Sequence, residues 1–145
     1  MRTIFSVRLD HPVERVWPYL AEPEKWLEYT PALVERTRID SGPISPGAKG
    51  RSVDRVGPVR VEFTDELVEL ESHRRVVWKQ SSPWNSSVEF TVERVGEGTI
   101  LHVDFEGRPS GKLRWLDLMP DFLATKVYQN DMKTLAGVLD RQGGE

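Results

Sequence analysis

The sequence predicts an α+β fold in which a curved antiparallel sheet of six to seven strands wraps around one long C-terminal helix. Three observations predict it. Alternating apolar residues recur from about residue 33 to 107, an apolar stripe at helical spacing follows from about residue 120 to 141, and only short helices precede the strands. The 145 residues contain no repeat or linker, so we expect a single domain spanning residues 1–145.

The first predicted elements are a strand and two short helices. Apolar and polar residues alternate over residues 3–9, as in a half-buried strand. Pro12 suits the first turn of the helix that follows, whose apolar residues recur at helical spacing, and Pro18 should shorten or bend this helix. A second short helix is expected over residues 22–29.

A meander of strands is predicted from residue 33 to about residue 107. Residues 41–47, which are rich in glycine, proline and serine, interrupt the first pair of strands. Gly96 and Gly98 mark a later turn, after which the apolar residues return on the same parity. We therefore expect one apolar and one charged face of the sheet.

The last segment carries an apolar stripe. At about 100° per residue, the following side chains fall on one side of a helix: Ala124, Val127, Tyr128, Met132, Leu135, Val138 and Leu139. A helix of about 22 residues spans roughly 33 Å, which is long enough to cross a sheet. Because a strongly twisted sheet curls, the space beneath a single covering helix can hold a ligand.

The composition excludes several classes of function. The absence of cysteine excludes disulfides and a cysteine nucleophile. Twenty basic and 23 acidic residues leave a net charge of −3, which is unlike the basic surface of nucleic-acid-binding proteins. No apolar stretch is long enough for an integral membrane segment, and the first residues do not resemble a signal peptide. We expect a cytoplasmic protein without a nucleic-acid partner; the sequence indicates no particular protein partner.

No motif for a metal, a cofactor or an activated nucleophile is recognisable. His11, His73 and His102 lack a second ligand at metal spacing, and we expect ordinary surface roles for them. The serines lack the Gly-x-Ser-x-Gly pattern. Residues 47–52 have neither the spacing nor the following helix of a phosphate-binding loop. We therefore expect no cofactor and no metal.

Three polar residues lie on the same side of their strand or helix as the apolar residues. Asp65 and Gln80 continue the apolar faces of their strands, and Asp131 lies within the stripe of the last helix. A carboxyl group in an apolar interior has a raised pKa and can act as a general acid or base. Alternatively, Asp65 and Gln80 lie at hydrated strand ends and Asp131 at the edge of the stripe. A β-bulge would also reverse the side on which Asp65 lies.

Short patterns occur in a characteristic order along nearly the whole chain. They are residues 12–17, Trp26, Gly47 and Gly50, residues 68–70 and 75–78, residues 92–94, Gly98 and Thr99, and finally Met132, Leu135 and Leu139. In this order the sequence resembles the START/Bet v 1-like (SRPBCC) superfamily, and within it the polyketide cyclase/dehydrase and lipid-transport group. The resemblance implies a helix-grip fold that holds an apolar or amphipathic small molecule.

The resemblance does not imply one particular reaction, because some relatives cyclise polyketide chains and others carry lipids or hormones. In the aromatase/cyclase branch, the proposed cavity arginine aligns with Leu67 of this chain and the proposed cavity tyrosine aligns near Leu33. Neither functional group is present at these positions. This departure argues against cyclase chemistry.

Three functional hypotheses follow. The favoured one is a protein that binds a polyketide-, lipid- or aromatic-type molecule, with ligand-binding residues Val61, Phe63, Trp78, Gln80, Phe90, Val103, Phe105, Trp115, Phe122, Tyr128 and Met132. The second is a cyclase/dehydratase-type lyase or isomerase with Asp65, Asp131 and Tyr128 as catalytic residues. The third is a protein-interaction module, without a true ligand, that uses Trp84, Trp115 or the outer face of the sheet. Residues 108–119 are expected to form a mobile lid.

Overall fold

A seven-stranded antiparallel sheet dominates the computed structural model, which describes residues 1–40 and 43–143. Its strands are β1 (Arg2–Leu9), β2 (Leu33–Arg38), β3 (Lys49–Val56), β4 (Val59–Glu71), β5 (Arg75–Gln80), β6 (Ser86–Val95) and β7 (Gly98–Gly107). Strands β2 to β7 pair in sequence order, and β1 pairs with β7 at the far edge. The predicted curved sheet with a long C-terminal helix is confirmed.

Two α-helices and two 3-10 helices accompany the sheet in these ranges. They are α1 (Val13–Ala21), the first 3-10 helix (Pro23–Glu28), the second 3-10 helix (Gly111–Leu118) and α2 (Asp121–Gly143). Pro18 lies inside α1. No helix in the described ranges is long and apolar enough to cross a membrane. The predicted break at residues 41–47 begins with Ser41 and Gly42, which lie outside the described residues.

The loop that we expected over residues 108–119 contains the second 3-10 helix, between Gly111 and Leu118. Leu113 and Leu116 are three residues apart, which places both on one side of a 3-10 helix, and both are buried. They pack against Val61 and Phe63 of β4. The helix was not predicted because two leucines without a longer stripe give no clear helical signal; the role of the segment as a mobile lid stays a prediction.

The main apolar core lies between the inner face of the sheet and the two α-helices. Its members include Val16 and Leu20 of α1, Leu67, Val76 and Trp78 of the central strands, Leu101, Val103 and Phe105 of β7, and Leu135 and Leu139 of α2. Trp78 is almost completely buried, and its Nε1 donates to the carbonyl oxygen of Leu20 at 3.0 Å. This hydrogen bond satisfies one of the carbonyl groups that a helix leaves unpaired at its C-terminal end.

A β-bulge in β4 determines which side chains face the interior. The register between β4 and β5 shifts between Leu67 and Glu69. Because the bulge follows Asp65, that residue keeps the inward parity of Val61 and Phe63, and it is fully buried. Beyond the bulge the alternation is displaced, so that Glu69 is exposed and Leu70 packs against the core. The expected inward position of Asp65 is therefore confirmed.

The C-terminal end of α2 is attached to α1 by a polar cluster. His11 is buried, and its Nε2 lies 2.7 Å from Oδ1 of Asp140. Arg15 donates to the carbonyl oxygen of Leu139 at 3.0 Å, and Thr99 donates to the carbonyl oxygen of His11 at 2.8 Å. Basic groups near a helix C-terminus are favoured by the helix dipole. The expected surface role of His11 is wrong, because the turn before α1 packs against the end of α2.

The N-terminal half of α2 is much less buried than the C-terminal half. Met132, Leu135, Val138 and Leu139 are buried, whereas between Asp121 and Val127 only Ala124 is buried. Val127, which we had placed in the inward stripe, is 54 % exposed. Its position is about 100° from Tyr128 on the helix, which is enough to turn it away from the sheet.

Replacing Trp78 with phenylalanine should destabilise the fold. Trp78→Phe leaves a buried carbonyl group of Leu20 without its donor and removes part of a well-packed side chain, so we expect a loss of about 2 kcal/mol. Urea denaturation followed by circular dichroism measures it. Trp115→Phe is the control, because Trp115 is exposed and its replacement should change stability by less than about 0.5 kcal/mol. Equal effects of the two replacements would contradict this prediction.

Candidate functional site

The inner face of the sheet carries a band of polar side chains between two apolar clusters. Along β4, Asp65 lies between Phe63, which belongs to the cluster with Leu113 and Leu116, and Leu67, which belongs to the main core. Gln80 and Ser86 continue the register of Asp65 on the next two strands, whereas Ser52 and Asp54 of β3 lie farther along, opposite Phe63 and Val61. We call the following residues the polar band: Ser52 and Asp54 of β3, Asp65 of β4, Gln80 of β5 and Ser86 of β6.

A buried ion pair holds one side of the polar band. Nε of Arg36 lies 3.1 Å from Oδ2 of Asp65, and both side chains are almost inaccessible to solvent. Ser52 donates a further hydrogen bond to the same oxygen. Arg36 also reaches Glu24 of the first 3-10 helix at 3.2 Å. The pair therefore links β2, β3, β4 and the first 3-10 helix through buried charges, and loss of one partner would leave the other uncompensated.

Gly50 makes room for this ion pair. It lies directly opposite Asp65 in the β3–β4 register, next to Arg38 of β2. A methyl group on Gly50 would overlap the guanidinium group of Arg36. The backbone of β3 thus needs a residue without a side chain at the point where Arg36 crosses it.

Asp54 has the electrostatic environment of a proton-transfer group. Burial raises the pKa of Asp54 to about 7, and the charges of Asp65 and Asp131 contribute to the rise. The indole N–H of Trp84 opposes the rise, although the two groups do not form a well-aligned hydrogen bond. No cation pairs with Asp54 among the described residues. At neutral pH this carboxyl group is therefore close to half protonated.

Helix α2 brings two more polar groups to the same region. Burial raises the pKa of Asp131 to about 6. Burial also raises the pKa of the Tyr128 hydroxyl, and the nearby carboxylates of Asp131 and Asp54 add to this effect. The ring of Tyr128 packs against Phe105, with 4.7 Å between the ring centroids. The ring of Tyr128 thus contacts Phe105 of β7, and its hydroxyl group is influenced by the carboxylates of Asp54 on β3 and Asp131 on α2.

Some buried polar atoms at this site lack protein partners. Oδ1 of Asp65 and Nε1 of Trp84 have no hydrogen-bond partner within the described part of the chain, and neither does Nε1 of Trp26, whose ring packs against Trp78. Buried polar groups in proteins are almost always paired with protein, water or ligand. The interior near Asp65 and Trp84 therefore offers hydrogen-bonding capacity that this chain does not itself satisfy.

The predicted ligand-binding residues divide into an inner and an outer group. The buried or half-buried ones are Val61, Phe63, Trp78, Gln80, Phe90, Val103, Phe105, Tyr128 and Met132. Trp115 and Phe122, by contrast, are 58 % and 70 % exposed, so they do not line the interior between the sheet and α2. Both lie on the outer side of their helices, because the inner sides are occupied by Leu113, Leu116 and Ala124.

The three predicted acid–base candidates occupy different environments. Asp65 is committed to Arg36 and Ser52, so its carboxylate is held in the structure, although burial still raises its pKa. Asp131 and Tyr128 lie together on α2, near Asp54. Gln80 is half-buried and accepts a 2.7 Å hydrogen bond from Ser86. Asp54 therefore joins the predicted residues: the charges of Asp65 and Asp131 raise its pKa, and its own charge contributes to the raised pKa of Tyr128.

Sequence reasoning missed Arg36, Ser52 and Asp54. Gly50, Ser52 and Asp54 alternate along β3, but none is apolar, so their shared parity gave no hydrophobic signal. Only the pairing of Ser52 with Phe63 and of Asp54 with Val61 reveals that they face inward. Because the β3–β4 turn is short, it fixes which residues of the two strands lie opposite each other. Pairing the strands from this turn would have placed Ser52 and Asp54 beside apolar residues of β4.

The comparisons with known proteins agree with this architecture. The sequence matches the family model "Polyketide cyclase / dehydrase and lipid transport" over residues 4–140. No match was found among curated proteins. Among residues 1–40 and 43–143, no group of three or more histidine, aspartate or glutamate side chains could hold a metal ion.

Several solved structures share the fold. The protein TTHA0849 of Thermus thermophilus is 14% identical, with a TM-score of 0.78 over 98% of this chain and 99% of that one. A START superfamily protein from Mycobacterium smegmatis is 11% identical, with a TM-score of 0.77 over 97% and 98%. Ara h 8.0201 is 12% identical, with a TM-score of 0.70 over 96% and 97%.

The fold and its interior define a domain of the helix-grip, START/Bet v 1-like (SRPBCC) class, which binds hydrophobic ligands. The family match covers most of the sequence, and the chain therefore belongs to the polyketide cyclase/dehydrase and lipid-transport family. The low identities to the solved structures support the fold and not a particular ligand.

Replacing Gly50 with alanine should break the buried ion pair. In Gly50→Ala the new methyl group displaces the guanidinium of Arg36, and Asp65 loses its partner, so we expect a loss of about 3 kcal/mol. The loss should be smaller when Asp65 is already asparagine, as a double-mutant cycle in urea would measure. Gly137→Ala is the control, since it lies within α2 without a close contact and should gain up to about 1 kcal/mol. A purely additive cycle would contradict the proposed cause.

The raised pKa of Asp54 predicts a specific pH dependence of stability. A carboxyl group titrates near about pH 4 in the unfolded chain but at about 7 here, so its contribution to stability is greatest below about pH 4 and is lost as the pH rises through 7. Asp54→Asn should therefore gain stability over the wild type at pH 8 and lose that advantage at pH 4. Chemical denaturation across this range tests it, with the exposed Asp10→Asn as control. An advantage that does not depend on pH would contradict the assignment.

Proposed function

We propose that this protein binds an apolar or amphipathic small molecule of polyketide, lipid or aromatic type between the inner face of the sheet and α2. The two apolar clusters would contact the hydrocarbon or aromatic part of the ligand, and the polar band together with Tyr128 and Asp131 would contact its polar group. Family membership supports the general class of ligand.

One observation carries the proposal: within the described part of the chain, polar groups without a well-aligned protein partner lie among the apolar residues of the inner face. Asp65 is fully buried, and its Oδ1 accepts no well-aligned hydrogen bond, although Gln80 is close enough to lower its pKa. Burial raises the pKa values of half-buried Asp54 and Asp131, and neither forms an ion pair in the described ranges. A structure that used this interior only as core would be expected to fill it with aliphatic side chains, because unpaired buried polar groups are destabilising.

The polar band also limits which ligands fit. Partly protonated Asp54 can donate a hydrogen bond to a carbonyl or hydroxyl oxygen, and an ionised carboxylate can only accept one. An amphipathic molecule with hydroxyl or keto oxygens therefore complements the site better than a pure hydrocarbon or a carboxylate anion. Affinity would come mainly from buried apolar area, at about 25 cal/mol per Å² before the costs of binding.

Ligand titration with matched variants tests the proposal. Native mass spectrometry of freshly purified protein should show a bound small molecule, and a long-chain alcohol or a hydroxylated anthraquinone should change the tryptophan fluorescence. Tyr128→Ala removes an aromatic contact inside the site and should weaken binding of the anthraquinone about tenfold. Gln129→Ala, next to it on the exposed side of α2, is the control. Protein without any bound molecule that also fails to respond to either probe would refute the proposal.

A second function, proton-transfer catalysis of the cyclase/dehydratase type, is favoured by the pKa of Asp54. A general acid or base works best when its pKa lies near the working pH, and Asp54 at about 7 meets this condition beside Tyr128 and Asp131. The interaction-module hypothesis has no comparable support from the interior.

Substitution of the candidate groups tests the catalytic function. With a linear polyketide as substrate, Asp54→Asn should lower turnover at least about tenfold at neutral pH, with smaller losses for Asp131→Asn and Tyr128→Phe. Asp65→Asn serves as a comparison, because it changes the ion pair with Arg36 rather than the group of raised pKa near Tyr128. Turnover that is unchanged in all four variants, or absent from the wild type, would leave ligand binding as the function.

A further inference from the structure

A cluster of exposed apolar side chains covers the outside of the second 3-10 helix and the first turns of α2. Five of the ten exposed large hydrophobic side chains among the described residues lie within this short stretch. We call them the outer patch: Trp115, Leu118, Phe122, Leu123 and Val127. Leu118 and Phe122 are 86 % and 70 % exposed, values that are unusual for side chains of this size.

The outer patch faces away from the interior of the protein. At 100° per residue, Phe122, Leu123 and Val127 fall within an arc of about 140° on α2. Tyr128 and Met132 lie on the opposite side, toward the sheet. Scattered exposed apolar residues need no explanation, but a concentration of this kind usually marks an interaction surface.

The charges around the outer patch are mainly basic. Lys112, Arg114 and Lys126 are exposed and have no ion-pair partner in the described ranges. Of the two acidic residues in the same stretch, Asp117 lies 3.8 Å from the amino group of Met1. Asp121 accepts a hydrogen bond from the backbone N–H of Arg2 at 3.2 Å and keeps its negative charge, so the three basic residues still outnumber it. A locally basic surface therefore occurs on a chain whose net charge is −3.

We propose that the outer patch docks on the surface of an anionic lipid bilayer. Apolar side chains of an amphipathic helix enter the boundary between headgroups and acyl chains, while basic residues beside them contact lipid phosphates. Trp115 is suited to this boundary because its ring is apolar and its N–H is polar. A second copy of the chain fits less well, since a symmetric dimer through this patch would bring Lys112, Arg114 and Lys126 close to their own counterparts.

Docking in this way would place the bilayer next to the proposed ligand site. The same 3-10 helix that carries Trp115 and Leu118 outward buries Leu113 and Leu116 against Val61 and Phe63 on the inner face. The inference rests on the outer patch alone and does not depend on which ligand occupies the interior.

Vesicle binding tests the inference. The wild type should co-sediment with vesicles of equimolar phosphatidylcholine and phosphatidylglycerol, more weakly with pure phosphatidylcholine, and progressively less as salt increases. Quenching by brominated lipid should be reduced in Trp115→Phe. Leu118→Ser/Phe122→Ser should weaken binding at least about tenfold, and Lys112→Gln/Arg114→Gln/Lys126→Gln about fivefold for each cation removed.

The control variant is Ile39→Ser/Val68→Ser, which replaces exposed apolar residues outside the patch and should bind like the wild type. Because all these side chains are exposed, the variants should keep the melting temperature of the wild type. Equal binding to both kinds of vesicle, or undiminished binding by Leu118→Ser/Phe122→Ser, would overturn the proposal. So would a concentration-dependent dimer in analytical ultracentrifugation that this double variant abolishes, since the patch would then be occupied by a second copy.

Discussion

The uneven burial of α2, whose C-terminal half lies in the core while its N-terminal half is held to β1 mainly by polar contacts, is the constraint on which the interior and the outer surface depend. Leu135 and Leu139 are buried in the main core, and His11 and Arg15 bind the last turns through Asp140 and the carbonyl oxygen of Leu139. The other half of the helix has few apolar contacts with the sheet. Its inward side can therefore carry polar groups, and its outward side can present apolar ones, without loss of the helix.

The carboxyl groups of the interior are influenced more by their removal from water than by pairing with cations. Three carboxyl groups, of Asp54, Asp65 and Asp131, influence one another electrostatically, and in the described ranges only Arg36 forms an ion pair with any of them. A buried carboxylate without a partner is costly, so the raised pKa values of Asp54 and Asp131 are the expected response. A ligand that donates hydrogen bonds, or accepts them from a protonated carboxyl, would relieve the same cost.

Family membership accounts for features that relatives share, whereas the polar groups of the interior are particular to this sequence. The family match and the shared fold account for the sheet and the long helix, and the family match supports the proposed binding of hydrophobic molecules. The particular polar band is a property of this sequence, because it depends on Gly50, Ser52 and Asp54 on one strand and on Arg36 crossing above them. Relatives with the same fold and little sequence identity need not share it.

Much of the architecture could be predicted because its signals are local. Alternation along strands and a stripe along a helix depend only on backbone geometry, and these patterns were sufficient for the element order and for the inward position of Asp65. Gln80 and Asp131 were likewise recognised from parity and both are partly buried. By contrast, Ser52 and Asp54 have no apolar pattern, and only strand pairing places them inside.

The sequence by itself determined the order of the elements, the existence of the inner apolar face and the membership of the α+β class, since each follows from the spacing of neighbouring residues. Only the tertiary structure decided which polar groups meet and which apolar groups remain outside. Arg36 and Asp65 are 29 residues apart, and His11 and Asp140 are 129 apart, so their contacts depend on how distant segments pack. The sequence shows that Phe122 and Val127 are apolar. Only the tertiary structure shows that no other part of the described chain covers them.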